Sequence, residues 1–259
     1  MIEVNNLTFS YSEKSPLFST FNLIIGQGES WAVIGPSGCG KSTLLYLLAG
    51  LKHPSAGSIR IAGKEVTRPR PQTGLVLQDH GLLPWATVRR NVALGITIRK
   101  FYGPDGIHAP PDMNMDPKAT EAQVDFWLDW LGIGDLQHSY PSQLSRGQRQ
   151  RTAIARTLVL APDLLLMDEP FSALDAPIRI ELQHVMTHFH RQSDMTSVIV
   201  THDIEEAVFL GRKILIFSRR DPMNAQVSDN PLAGQPEARH TPDFQDQCHR
   251  LHAILEGTP

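Results

Sequence analysis

Residues 35–43 read GPSGCGKST and constrain the fold more than any other stretch of the chain. They match the spacing G-x-x-x-x-G-K-[ST] without a gap, ending in Gly40, Lys41 and Ser42. The five residues before them are apolar and β-prone, which predicts a buried strand, and the six residues after them predict a helix that stops at Gly50. A strand, a glycine loop and a helix in this order predict a phosphate-binding loop rather than an ordinary glycine-rich turn.

The loop has the chemistry that a polyphosphate requires. Glycines let the backbone turn tightly, so that its N–H groups and the positive end of the following helix face an anion. Lys41 would reach the β- and γ-phosphates, and the Ser42 hydroxyl would bind Mg²⁺. Cys39 lies at the helix N-terminus, where a stabilised thiolate is expected. The candidate nucleotide-binding residues of the loop are Gly35, Pro36, Ser37, Gly38, Cys39, Gly40, Lys41, Ser42 and Thr43.

Composition narrows the class of protein. The 259 residues suffice for one large domain or a core with a subdomain, and a hydrophobic content of 41% is ordinary for a globular chain. The net charge of −3 gives no indication of a nucleic-acid partner. Two cysteines form no disulfide framework, and a reducing compartment fits. No signal peptide and no transmembrane segment is expected, so any membrane role would be peripheral.

Buried apolar runs alternate with helical patterns after the loop. Runs at residues 74–78, 164–167, 197–200 and 213–217 predict strands, and this alternation predicts an α/β fold with a parallel sheet. The segments before the loop, together with residues 58–61, predict a small antiparallel sheet beside it.

Composition and spacing predict three further features of the chain. Residues 101–118 are rich in Pro, Gly, Asp and Met and are expected to form a loop or insertion. Residues 219–259 are poor in apolar side chains, which predicts a solvated, partly ordered tail with a short helix near residues 244–255; its histidines lack a convincing ligand set. Trp127 and Trp130 are expected to lie in the core rather than in a functional aromatic patch.

Polar side chains follow three of the predicted strands, at the sheet edge where open α/β proteins bind ligands. Asp168 ends one apolar run and can orient Mg²⁺, and Glu169 comes next and can polarise a water molecule. Gln78 and His202 end two other strands and can reach the γ-phosphate end of the same site. A single histidine at a strand end is more often structural, but the set in this order predicts one nucleotide site.

With these residues in place, the chain resembles the ATP-binding subunits of ABC transporters over roughly residues 1–218. The resemblance implies a P-loop NTPase fold, with a RecA-like core that has an antiparallel β subdomain, plus a helical subdomain at about residues 82–160. The LSRGQ element is specific to this superfamily. The matching segments are GPSGCGKST (35–43), LVLQ (75–78), LSRGQRQR (144–151), LLLMDEP (164–170), SALD (172–175) and VTHD (200–203).

The resemblance also implies how the residues divide the work on ATP and Mg²⁺. Ser42 and Gln78 would coordinate Mg²⁺, and Asp168 would hold its coordination shell. Glu169 would be the general base, with Gln78 and His202 at the γ-phosphate.

Two copies of such a subunit are implied to enclose two ATP molecules. Ser145, Gly147 and Gln148 of one chain would then touch the nucleotide held by the loop of the other, and Asp175 would bridge the two sites. Tyr11 would stack on adenine, although a packed tyrosine at a strand end remains the alternative.

One position departs from the family pattern. Arg146 occupies the first glycine position of the usual LSGGQ element, while Ser145 and Gly147 are kept. Hydrolysis is therefore expected, and a cationic side chain there can pair with the partner chain or with phosphate.

Residues 78–92, QDHGLLPWATVRRNV, resemble importer subunits of the nitrate, sulfonate and taurine type. In that group this region receives a coupling helix of a separate membrane permease, which makes Leu82, Leu83 and Trp85 candidates for the contact; packing in the core is the alternative. A solute-binding protein would complete the importer. The implied location is the cytoplasmic face of the membrane, with the chain bound peripherally.

Two other classes of nucleotide-binding protein fit the sequence less well. Soluble ABC-type ATPases that act on DNA or ribosomes have a coiled-coil insertion or two fused cassettes, whereas this chain has one cassette and no heptad run. A P-loop kinase or GTPase is disfavoured by the LSRGQ element and by Glu169 after Asp168.

Overall fold

The computed structural model describes residues 1–11, 16–101, 117–172, 174–218 and 225–256. Within these residues the strands are β1 Ile2–Phe9, β2 Phe18–Ile25, β3 Ser30–Ile34, β4 Ala56–Ile61, β5 Lys64–Glu65, β6 Thr73–Val76, β7 Leu164–Asp168, β8 Thr196–Val200, β9 Lys213–Ile216 and β10 Gln226–Asp229. The α-helices are α1 Lys41–Leu48, α2 Val88–Phe101, α3 Pro117–Trp130, α4 Arg146–Leu158, α5 Ala176–Gln192, α6 Ile204–Leu210 and α7 Pro242–Glu256.

A six-stranded sheet forms the centre of the molecule, in the order β10-β9-β3-β8-β7-β6. The strands from β9 to β6 run parallel, and β10 pairs antiparallel with β9 at the edge. Every residue of β3, β7 and β8 is buried, because helices and the second sheet cover both faces. The predicted α/β fold with a parallel sheet is confirmed.

The second sheet has four antiparallel strands in the order β2-β1-β4-β5. Its inward side chains, such as Ile2 and Leu7, pack with α1 and with Trp31 and Val198 of the central sheet in one apolar cluster. The antiparallel part that the sequence predicts is therefore confirmed, and it lies directly beside the glycine loop.

Helices α2, α3 and α4 lie between β6 and β7 in the chain and pack against one another. Val92, Val124 and Leu158 lie in the same buried cluster as Met167 of β7, so the helices share one core with the sheet. Trp127 is 5% exposed and Trp130 packs partly buried beside it, which confirms the prediction that both belong to the core. The expected insertion at residues 101–118 lies largely outside the described residues.

The end of the chain differs from the expected solvated tail. Strand β10 extends the central sheet, and α7 buries Phe244 and Leu251, which are seven residues apart and so lie on one helix face. The Asn230 side chain, 2% exposed, donates hydrogen bonds to the carbonyls of Val208 and Gly211. A few well-spaced apolar residues and one buried amide thus suffice to fix this segment, and α7 is the helix expected near residues 244–255.

None of the helices in the described ranges is both long enough and apolar enough to cross a membrane.

Candidate active site

The glycine loop connects β3 to α1 as the sequence predicts. Gly40 caps α1 with φ 104°, and a Cβ there would lie 2.7 Å from the Phe18 ring, so only glycine fits. No side chain caps the helix N-terminus, which leaves its first N–H groups available to an anion. Ser37 and Gly38 are exposed at the tip of the loop.

Lys41 is held inside this loop although it is charged. The residue is 8% exposed, and its ammonium group donates hydrogen bonds to the carbonyls of Gly35 at 2.8 Å and Pro36 at 3.0 Å. These bonds compensate the cost of burying the charge. The positive charge therefore lies within the turn whose N–H groups face an anion.

Asp168 lies at the end of β7 and joins the central sheet to α1. It is 3% exposed and accepts hydrogen bonds from the Ser42 hydroxyl at 2.9 Å and from the Tyr46 hydroxyl at 3.0 Å. Burial, together with the nearby Asp168 carboxylate, raises the pKa of Tyr46 to about 12, so this phenol remains a donor. Tyr46 was missed by the sequence analysis, although its position four residues after Ser42 places both on one face of α1.

The donors around Asp168 fit a magnesium ion. Hydroxyl and carboxylate oxygens are the ligands that Mg²⁺ prefers, and Ser42 and Asp168 supply one of each at 2.9 Å from one another. The described residues contain no group of three His, Cys, Asp or Glu side chains that could hold a metal ion by themselves. A magnesium ion here would thus need further ligands besides these two side chains.

The Glu169 carboxylate contacts polar side chains from the ends of two other strands. Its Oε2 accepts from the Gln78 side-chain amide at 3.3 Å and lies 3.2 Å from Nδ1 of His202. Glu169 has φ 46°, uncommon for a residue other than glycine, and its N–H donates to the Val200 carbonyl at 2.9 Å. Strained backbone of this kind is typical of functional sites. The structure therefore brings together Gln78, Glu169 and His202, which the sequence placed only near one edge.

A buried carboxyl group contacts Thr201, the residue before His202, and was not predicted from the sequence. Glu206 of α6 is 4% exposed, and one of its oxygens accepts from the Thr201 hydroxyl at 2.7 Å. The other oxygen is buried without a hydrogen-bond partner. Burial raises the pKa of Glu206 to about 7, and the Asp203 charge acts in the same direction. The residue before His202 is thus hydrogen-bonded to a carboxyl group whose pKa is about 7.

The expectation of a stabilised thiolate at Cys39 is wrong. Cys39 is 7% exposed, and burial raises the pKa of its thiol; the positive charge of Lys41 opposes this with a smaller effect. The thiol packs against Gly35, where a Cβ would lie 2.8 Å from its sulfur. Desolvation therefore outweighs the helix N-terminus at this position.

Tyr11 is 64% exposed and lies beside the loop. Its hydroxyl is 2.9 Å from the Thr43 hydroxyl, and its ring makes an edge contact with Phe9. The Lys52 ammonium lies 4.7 Å from the ring centroid. An aromatic ring that is tethered at its hydroxyl but otherwise open can stack on a planar ligand.

The LSRGQ residues form a second cluster. Ser145 caps α4, accepting from the Gln148 N–H at 3.2 Å while the Gln148 side chain accepts from the Ser145 N–H at 2.9 Å. Gly147 is buried, and a Cβ there would lie 2.8 Å from Ile178. Arg146 is exposed beside them. Ser145, Gly147 and Gln148 line a cleft of about 310 Å³ that contains no residue of the glycine loop.

Asp175 caps α5 without a side-chain hydrogen bond to that helix and is exposed. Within the part of the chain that the structure describes, no hydrogen bond links Asp175 or Ser145 to the glycine loop. One chain therefore carries two separate groups of candidate functional residues. One is the phosphate loop with its carboxylates, and the other is the exposed capping-box loop that begins at Ser145.

Trp85 is 72% exposed, so packing in the core is not its role, whereas Leu82 and Leu83 are partly buried. The turn that presents Trp85 is fixed by Asn91, which is fully buried and exchanges hydrogen bonds with the Leu83 backbone at 2.8 and 3.2 Å. The structure thus presents a large aromatic side chain on a rigid turn.

Arg156 links α4 to the segment after Gln78, a contact that sequence periodicity could not show. Its guanidinium donates to the carbonyls of His80 at 2.7 Å and Gly81 at 2.6 Å. Burial lowers the pKa of Arg156, and the two carbonyls stabilise its charge in return. Arg156 therefore joins the segment after Gln78 to α4, the helix that begins at the LSRGQ element.

The sequence pattern of the ABC transporter family matches residues 18–172, more than half of the chain. The chain belongs to the ABC transporter family. Membership in this family implies ATP binding and ATP hydrolysis, the chemistry for which the loop, Asp168 and Glu169 are suited.

Named members of the ABC transporter family are similar over nearly the whole chain. The aliphatic sulfonates import ATP-binding protein of Bacillus subtilis is 38% identical, covering 95% of this chain and 89% of its own length. The protein of the same name from Bacillus licheniformis is 38% identical, covering 99% and 94%. A putative ATP-binding protein of Brucella abortus is 35% identical, covering 100% and 95%.

Solved ABC cassettes have the same fold. A dimeric ATP-binding cassette in a post-hydrolysis state bound to ADP and Pi aligns with a TM-score of 0.75 at 26% identity, covering 88% of this chain and 98% of its own. The cbiO1 protein of Clostridium perfringens, part of an ABC transporter complex, aligns with a TM-score of 0.76 at 25% identity, covering 98% and 96%. The predicted P-loop NTPase fold is confirmed.

Proposed function

We propose that this chain is the ATP-hydrolysing subunit of a membrane importer for an aliphatic sulfonate or a similar small solute, such as nitrate or taurine. The observation that carries the proposal is the convergence of Gln78 and His202 on one oxygen of Glu169, next to the Ser42–Asp168 pair. The sulfonate-import names of relatives that match nearly the whole chain support the importer role.

In this proposal the chain's own residues position ATP and an attacking water molecule. Lys41 and the loop N–H groups hold the phosphates, while Ser42, Gln78 and Asp168 bind Mg²⁺, which neutralises charge on the phosphate oxygens when bound. Glu169 takes the proton of the water, and His202 contacts the γ-phosphate.

Two copies of the chain close over two nucleotides in the proposed working state. The exposed Ser145 loop, with Gly147 and Gln148, completes the partner's site, and Asp175 bridges the two sites. The dimeric cassette bound to ADP and Pi supports this arrangement. Tyr11, open except for its hydroxyl and edge contacts, stacks on adenine.

The importer would further include membrane permease subunits and a solute-binding protein, with this chain on the cytoplasmic face of the membrane. Trp85 is the proposed permease contact, because it is 72% exposed on a turn fixed by Asn91. The alternative is an ABC-type ATPase that works apart from a transporter. Copurification tests this: the parent chain should retain a membrane permease in detergent, and Trp85→Ala should lose it while hydrolysing ATP at the parental rate. An ATPase recovered without any membrane protein would favour the alternative.

Glu169→Gln tests the chemistry. The change keeps size and hydrogen bonding but removes the base, so hydrolysis should fall roughly 10²-fold or more. ATP should still bind, and the lost negative charge should help two chains close into a stable dimer. Phosphate release and size-exclusion chromatography with light scattering in ATP and Mg²⁺ measure the two effects.

Two controls define the result. Lys41→Ala in the Glu169→Gln background should abolish the dimer, because the main charge on the phosphates is removed. Glu65→Gln, an exposed carboxyl group on β5, should leave hydrolysis and oligomeric state unchanged. Hydrolysis by Glu169→Gln at nearly the parental rate would exclude Glu169 as the base and leave His202 as the leading candidate.

A further inference from the structure

A cavity of about 410 Å³ lies against the central sheet, away from the glycine loop. Its base is formed by the starts of β3 and β8, where Ser30 and Ser197 lie, and one side is formed by α5. Residues 231–235, which follow β10, cover it from the other side. The segment once expected to be a solvated tail therefore builds a wall of this cavity.

The inner lining of the cavity is apolar and adaptable. Met167, Met186 and Met195 line it together with Ile199 and Leu210. Methionine side chains are unbranched and polarizable, so they can adjust to a flexible aliphatic chain. The volume lies within the range of small-molecule sites.

The mouth of the cavity carries positive charge. Arg191 and Arg212 line it and are exposed, and the partly buried His190 lines it as well. None of the described residues that line the cavity is Asp or Glu. The nearby Asp194 carboxylate accepts a hydrogen bond from the Gln27 side chain at 2.9 Å. The lining thus offers a cationic rim above an apolar interior.

A polar atom inside this region has no partner. Nδ1 of His190 is buried without a hydrogen-bond partner. A buried polar atom without a partner costs free energy, which a polar group of a ligand would recover. The apolar interior and the cationic rim therefore point to an amphiphilic anion, and Nδ1 of His190 can donate a hydrogen bond to it in the tautomer that carries the proton there.

The walls of the cavity are held in place. Arg191 donates a hydrogen bond to the Gly234 carbonyl, and the Gly234 N–H donates to the Phe209 carbonyl at 2.7 Å. The Gln235 side chain donates to the Pro231 carbonyl at 2.9 Å. A preformed wall lowers the entropy cost of binding.

We propose that this cavity binds a small organic anion with a short aliphatic chain, its sulfonate or carboxylate group at Arg212 and Arg191 and its chain among the three methionines. The site is separate from the nucleotide site, so its occupancy does not depend on the proposed transport function.

Isothermal titration calorimetry of the full chain with hexanesulfonate, and separately with hexanoate, tests the proposal. We expect one site per chain for at least one of the two anions, with a Kd of roughly 0.1–1 mM, in line with the ligand efficiency of small molecules. Saturating ATP should leave this binding unchanged. No saturable binding of either anion, or displacement of the anion by ATP, would overturn the proposal.

Matched variants locate the site. Arg212→Gln should weaken binding roughly tenfold, the effect of losing one charge-assisted hydrogen bond. Ala233→Phe, which fills the mouth, should weaken it at least as much, whereas Arg60→Gln removes one exposed charge on β4 and should have no effect. Equal affinity in all three variants, or equal binding of hexanol or hexyltrimethylammonium, would overturn the assignment.

Discussion

Glu206→Gln tests how much the ionisation of one buried carboxyl group contributes to the pH dependence of this protein's stability. Glu206 lies 4% exposed in α6, accepts from the Thr201 hydroxyl at 2.7 Å, and has a second oxygen without a partner. The variant keeps an oxygen for Thr201 but carries no charge at any pH. Since Thr201 precedes His202 directly, the ionisation of Glu206 bears on the segment that holds His202.

The sign and size of the effect follow from the pKa. Burial, with the Asp203 charge, raises the pKa of Glu206 from 4.5 to about 7. Between these values the folded chain keeps a proton that the unfolded chain has lost, so stability falls as pH rises through this window and levels off above pH 7. A shift of this size corresponds to about 3 kcal/mol in full, of which roughly 2–3 kcal/mol lies between pH 5 and pH 8.5.

Urea unfolding followed by tryptophan fluorescence at pH 5 and pH 8.5 measures the effect. The free energy of unfolding of the parent minus that of Glu206→Gln should fall by about 2–3 kcal/mol from the lower to the higher pH. Any constant cost of the amide cancels in this difference. Glu205→Gln, an exposed neighbour on the same helix, should give a difference that changes by less than about 0.5 kcal/mol. A parent–variant difference that is equal at both pH values would refute the reasoning.

Three further predictions follow from the same geometry. Iodoacetamide should label Cys39 at least about tenfold more slowly in the folded chain than in urea, because burial raises the pKa of its thiol. Peptide mass spectrometry measures the two labelling rates, and equal rates would contradict the burial argument. Arg146→Gly should change the rate of phosphate release less than about tenfold. Ser145→Arg should lower this rate far more, because it removes the α4 cap and fills the space of the loop. Equally severe losses of activity in both variants would show that the wrong loop positions were assigned to the nucleotide. Arg156→Lys should destabilise the chain by roughly 1–3 kcal/mol in urea titrations, because a partly buried contact with two carbonyls is lost. The exposed Arg60→Lys should change stability little. Equal effects of the two changes would show that Arg156 does not link α4 to the segment after Gln78.

The sequence by itself determined the parts of this protein whose signal is local. The glycine loop is contiguous, so its spacing and its flanking strand and helix can be predicted, and the bounds of β3 agree with those predicted. Fully buried strands such as β7 and β8 appear as unbroken apolar runs because both of their faces are covered. Asp168 and Glu169 were predicted because they follow such a run, at the sheet edge where open α/β proteins bind ligands.

Only the tertiary structure decided which of these groups meet. Gln78 and His202 are far apart in the chain, and strand order and register bring both to one oxygen of Glu169. The fate of the Cys39 thiol depended on desolvation by neighbours distant in sequence, which a helix-terminus argument omits. The segment after residue 225 is poor in apolar residues, which predicts a solvated tail, yet Phe244 and Leu251 lie on one face of α7 and pack on the core. Local patterns report what a residue can do, whereas distances and burial depend on elements that the chain brings together only on folding.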